Sequence, residues 1–163
     1  MTLAEVRALR DAGKHEEHLA AARTLAADEP TNAEAQLEAA IAHDRADRER
    51  EAIVYYDAAY RLGVPAAVKR SFYVGFGSTL RNVGRADESV AVLAQAVAED
   101  PGYAPFHAFL SLALFSSGHP REALAAMLGV ALEVAKAGAF DRYERALSEY
   151  HRELLGDVIE TEM

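Results

Sequence analysis

Cysteine is absent from this chain, so neither a disulfide nor a thiolate metal site can organise it. That fits a reducing compartment, and a cytoplasmic location is the expectation. Basic residues are few: 17 Lys and Arg stand against 26 Asp and Glu, a net charge of −9. Nonspecific nucleic-acid binding draws on the opposite balance, because it neutralises phosphates with Lys and Arg. No stretch reaches the roughly 18 apolar residues of a membrane span. Glu5, Arg7 and Arg10 also stand where a secretory leader would need a continuous apolar run. Nor does any segment alternate apolar and polar residues for long, which removes the signature of strands. No nucleophile stands with a base, no acid–base pair with a pocket, and no cofactor fingerprint is present. The expectation is a chain that is not an enzyme and has no cofactor or metal.

What is present reads as a folded domain: 51% hydrophobic and 26% charged residues are ordinary values for one. The charge is uneven, −5 over residues 1–62, zero over 63–132 and −4 over 133–163. The neutral middle holds Phe72, Phe76, Phe106, Phe109 and Phe115, so apolar surface is concentrated there. Repetition is the main signal. Gly77 to Pro101 can be laid on Ser111 to Leu132, each with a helical run, a glycine turn and an alanine-studded second run. Gly84 and Gly118 are 34 residues apart, as are Gly13 and Asp47, while Asp47 and Gly84 are 37 apart. A three-residue insertion around Gly63, Val64 and Pro65 accounts for the break. A period near 34 predicts stacked helical hairpins.

Four pairs are predicted, at about 1–32, 33–66, 70–103 and 104–137, followed by a tail at 139–163. Asp28-Glu29-Pro30 ends the first pair, because the residue before proline is pushed out of the helical region. Thr31 or Asn32 caps the next helix, and Pro120 suits a first helical turn. Small residues recur inside the first helices (Ala40, Gly77, Ser111) and early in the second (Ala52, Ser89, Ala123), letting helices approach. Tyr56, Leu93 and Met127, then Ala59, Ala96 and Val130, are expected to fill the seams between pairs. In the tail Phe140, Tyr143, Leu147, Tyr150 and Leu154 are spaced 3, 4, 3 and 4. Such a seam predicts another helix, either a cap on the fourth pair or a surface for self-association.

Two local motifs invite a chemical reading. His15-Glu16-Glu17-His18 places histidines three apart, whereas a zinc-protease helix needs them four apart with glutamate after the first. A polar helix start, with Glu16 and Glu17 at the positive end of the dipole, explains it better. Gly75-Phe76-Gly77 lacks the third glycine or the Lys-Ser/Thr ending of a phosphate loop and falls inside an expected helix. Close helix packing is the preferred explanation.

The chain resembles the tetratricopeptide repeat family. Gly77, Leu80, Gly84, Ser89, Leu93, Ala96 and Pro101 carry the likeness in one copy, and Ser111, Leu114, Gly118, Ala123, Met127 and Val130 in the next. Ala40, His43, Asp47, Ala52, Tyr56 and Ala59, then Gly13, His18, Ala22, Leu25 and Pro30, carry the others. His18 departs from the usual alanine. The resemblance implies an all-α, right-handed superhelical solenoid of about four antiparallel helix pairs plus a C-terminal capping helix. Its concave groove, lined by first helices, would hold a partner's peptide or helix. Groove positions fall on Arg7, Arg10, Leu37, Ile41, Arg45, Val74, Ser78, Arg81, Asn82, Leu112 and Phe115. The carboxylate clamp of some relatives is absent, since Leu3, Arg7, Glu38, Ser71 and Gly75 occupy its places. The implied function is a noncatalytic protein-interaction module for a segment with acidic and apolar parts, without nucleic-acid or membrane partners. In a competing account the arginines merely pair with Asp11, Glu38 and Asp44. The alternatives are a homodimeric scaffold joined through the tail and, more remotely, an enzyme accessory or small-molecule-binding protein.

Overall fold

Left-handed backbone marks the turn of every expected pair: φ is 71° at Gly13, 56° at Asp47, 88° at Gly84 and 85° at Gly118. Glycine reaches this region without a Cβ clash, and aspartate is among the few other residues that tolerate it. The computed structural model describes the backbone of residues 1–161 and the side chains of residues 1–156. Its helices are α1 (Leu3–Asp11), α2 (His15–Asp28), α3 (Ala33–Asp44), α4 (Glu49–Leu62), α5 (Lys69–Asn82), α6 (Ala86–Glu99), α7 (Ala104–Ser116), α8 (Pro120–Val134) and α9 (Glu144–Thr161). The described residues contain no strand, and no helix among them is long and apolar enough to cross a membrane. The insertion is accommodated after α4, where Gly63 turns at φ 81° and a 3-10 turn at Ala66–Val68 leads into α5.

The helix starts follow from local chemistry. Thr2 accepts the Glu5 amide at 3.3 Å while the Glu5 carboxylate accepts the Thr2 amide at 2.7 Å, a capping box on α1. Asn32, rather than Thr31, caps α3, accepting the amides of Glu34 at 3.0 Å and Ala35 at 3.3 Å. Acidic side chains open α2, α4, α6 and α8 at the positive end of each dipole.

The chain forms two compact units, the first spanning Met1–Gly84 and the second beginning at Arg85. In the first unit α1 packs on α2 and α3, and α3 also touches α2, α4 and α5. With neighbours on several sides, α3 buries nine of its twelve residues, among them Leu37, Glu38 and His43. Its alanines Ala35, Ala39 and Ala42 meet Val6, Ala22, Leu25 and Ala26 in one core cluster. Gly75 lets α4 and α5 approach: a Cβ there would lie 2.9 Å from Cζ of Tyr56, which sits in an aromatic group with Phe72, Phe76 and Tyr60. Gly75 thus serves packing, and Gly77 is buried.

In the second unit α6 packs on α7, α7 on α8, and α8 on α9. Ala123 is buried, but Met127, expected in a seam, is 38% exposed. The reason is where α9 lands: His151 lies against Gly129, on another side of α8. The tail also differs from its periodicity. Gly138 (φ 78°) and Asp141 (φ 50°) place left-handed backbone ahead of a 3-10 turn at Asp141–Tyr143, so α9 starts only at Glu144. Phe140 and Tyr143 therefore precede the helix instead of sharing its seam. Leu147 and Leu154 are half-buried on α9, while Tyr143 and Tyr150 are exposed.

Candidate functional site

The first helices of the first unit lie side by side in the order α1, α3, α5. Their polar chemistry centres on Glu38, whose side chain is 1% exposed. Its Oε1 accepts Nε of Arg7 at 2.9 Å and Nη1 of Arg10 at 2.6 Å, and its Oε2 faces Nε2 of His18 at 3.3 Å. A carboxylate only accepts, so the His18 proton resides on Nε2 in this arrangement. Arg7 also donates to Glu34 at 2.8 Å, and Arg10 to Asp11 at 3.0 Å. Partial burial of Arg7 alone would lower its pKa, but the hydrogen bonds to Glu34 and Glu38 outweigh it and raise the value. Burial drives the His18 pKa below its ordinary value, helped by Arg10 and Arg45 and opposed by Glu38. The residue that departs from the family's alanine thus completes a buried ionic cluster.

A second carboxylate on α3 ties the unit together. Asp44 accepts Tyr56 from α4 at 2.7 Å and Thr79 from α5 at 3.0 Å. Burial raises the Asp44 pKa despite these donors, and burial beside Asp44 raises that of Tyr56. The competing account, in which the groove arginines pair with Asp11, Glu38 and Asp44, holds for Arg7 and Arg10 on Glu38 and Asp11, whereas Asp44 takes two hydroxyl groups and no arginine among the described residues. Sequence reasoning did not find the Tyr56–Asp44–Thr79 junction, whose three members lie on separate helices with no local signature.

The remaining groove positions fare differently. Leu37 is 1% exposed and belongs to the core, because α3 is covered on that side, so it offers a partner no surface. Ile41, Val74 and Ser78 are half-buried. Asn82 donates to Glu49 at 2.7 Å. Arg45, just after α3, is exposed, and its side chain makes no hydrogen bond or ion pair to a described residue. Arg81, in the last turn of α5, has a buried Nε without an acceptor among the described residues. In the second unit α7 exposes Leu112 (41%) and Phe115 (69%), three residues apart on one side.

Among the described residues no group of three or more His, Cys, Asp or Glu is arranged to hold a metal ion. His15 is exposed and His18 buried, so the two histidines at the start of α2 do not share a site.

A family model described as Tetratrico peptide repeat matches residues 33–154. No curated protein matches the chain.

Proposed function

Because the chain belongs to the tetratricopeptide repeat family, whose repeats generally mediate protein–protein interaction, we propose that it is a noncatalytic interaction module capturing a segment of a partner protein through its first helices. One observation supports the acidic character of that segment. Of the arginines expected in the groove, Arg7 and Arg10 are neutralised by Glu34 and Glu38, while the side chains of Arg45 and Arg81 are not. A buried guanidinium N–H without an acceptor is unfavourable, and a carboxylate satisfies it with a charge-assisted bond. Ile41 and Val74, half-buried in the same unit, offer apolar contact for the rest of the segment.

The test is fluorescence anisotropy with acidic–apolar peptides selected from a display library on the wild-type chain. Arg45→Glu with Arg81→Glu abolishes binding, and far-ultraviolet circular dichroism checks that the double variant stays folded. Undiminished binding by the double variant moves the surface elsewhere.

A second reading, self-association, draws on the tail, where Tyr143 and Tyr150 are 55% and 58% exposed. Arg142 supports Tyr143, donating to its hydroxyl at 2.9 Å and lying 5.1 Å from its ring centroid. Sedimentation of Tyr143→Glu separates the two readings: a folded monomer from a dimeric parent favours the scaffold.

A further inference from the structure

A cleft of about 450 Å3 runs along α8, floored by Glu122, Ala125, Ala126, Gly129, Val130 and Glu133. In the other unit Glu17, Ala20, Ala21, Thr24, Leu25 and Asp28 of α2 line a cleft of about 420 Å3. Each of these six stands 105 positions before its α8 counterpart, so the same repeat positions are hollowed twice. Both times a carboxylate closes each end of a largely apolar floor. The two acids are eleven positions apart, which puts them on one helix face about 16 Å apart along the axis.

The clefts differ in what their acids already touch. Glu17 pairs with Lys14 at 3.3 Å. Glu122 and Glu133 make no hydrogen bond or ion pair to any described residue. The walls of the α8 cleft add further acceptors. His107 donates Nε2–H to the Pro101 carbonyl at 2.7 Å, so in the neutral ring Nδ1 is the acceptor. His151 of α9 lies against Gly129, and Leu155 adds aliphatic surface. Neither lysine nor arginine is among the lining residues.

An anion is repelled by two unneutralised carboxylates on a chain of net charge −9. A single metal ion cannot bridge acids this far apart, and a wholly apolar ligand leaves them unused. We propose that the α8 cleft binds a linear aliphatic oligoamine. Its methylene chain lies along Ala125, Ala126, Gly129 and Val130, and its terminal ammonium groups donate to Glu122 and Glu133. Charge-assisted bonds at both ends fix the length of the ligand, and the floor between them favours methylenes over water.

Isothermal titration calorimetry of the full chain with spermine at physiological ionic strength tests this. The expected result is saturable binding of one spermine per chain, weakened about tenfold or more in Glu122→Gln/Glu133→Gln. The charge-matched control Glu16→Gln/Asp87→Asn, outside the cleft, binds like the parent. Hexaamminecobalt(III), a compact trication without a methylene chain, binds more weakly than spermine. The proposal is overturned if spermine does not bind, if both double variants lose affinity equally, or if the cobalt complex binds as well. Tighter binding of tetralysine than of spermine also overturns it, in favour of a basic peptide. None of the substituted acids is buried, and those in first helical turns, Glu16, Asp87 and Glu122, lower the melting temperature only slightly by weakening a favourable contact with the helix dipole.

Discussion

Replacing Glu38 by glutamine removes one charge from the centre of the α1–α2–α3 cluster without changing its shape. The carboxylate is 1% exposed, while the side chains of Arg7 and Arg10 are 29% and 22% exposed. Hydrogen bonds to charged groups contribute about 1.5 to 3 kcal/mol each, and breaking a fully buried ion pair costs about 3 to 5 kcal/mol. Both arginines retain some water, and a glutamine oxygen in the place of Oε1 still accepts both, which brings the expected loss to about 2 to 3 kcal/mol. The glutamine amide then faces Nε2 of His18, a donor in this arrangement, and that clash keeps the loss from falling lower. Urea unfolding followed by far-ultraviolet circular dichroism measures it; with a slope of about 2 kcal/mol per molar, the midpoint falls by about 1 M. Glu34→Gln is the comparison. That side chain is 30% exposed and holds only Arg7, so the loss stays below about 1 kcal/mol. If Glu38→Gln costs less than about 0.5 kcal/mol, or no more than Glu34→Gln, the cluster does not stabilise the first unit and the reasoning fails.

Other outcomes follow from single contacts. Burial holds the His18 pKa below 6.5 in the folded chain, so the unfolded chain binds more protons as pH falls through that value and stability drops with it. The urea midpoint is therefore lower at pH 5.5 than at pH 7.5, and His18→Gln flattens the difference; an unchanged slope in the variant assigns the effect to other groups. Gly75→Ala forces a Cβ to within 2.9 Å of the Tyr56 ring and destabilises by about 1 to 3 kcal/mol. Gly102→Ala, with nothing within 4 Å, is close to neutral by the same urea assay. Asp47→Gly relieves the only non-glycine among the four helix-pair turns and raises stability by up to about 1 kcal/mol, read as a higher midpoint.

The repeat was legible because turn and seam positions are fixed by geometry that leaves a direct trace: a left-handed φ calls for glycine or aspartate, and close helices call for alanine. Gly13, Asp47, Gly84 and Gly118 could thus be placed in phase from spacing alone. Position in the stack was harder to read. Leu37 has the period of a groove residue, yet α3 has neighbours on enough sides to bury it, and helical spacing cannot distinguish an end helix from a central one. The tail misled for a related reason. Spacing of 3 and 4 through Phe140, Tyr143, Leu147, Tyr150 and Leu154 ignores backbone direction, and left-handed Gly138 and Asp141 delay α9 to Glu144. Tyr56, Asp44 and Thr79 belong to three helices, so only the folded chain brings them together.

In the proposed function the first helices form the capturing surface, and Arg45 and Arg81 receive the partner's acidic groups. Hydrogen–deuterium exchange of the chain, with and without a selected acidic–apolar peptide, tests this most directly. The account predicts slowed exchange at the C-terminal turns of α3 and α5, around residues 41–45 and 78–82, with α2 and α4 unchanged. Protection confined to α2 and α4, with none at those turns, would contradict it.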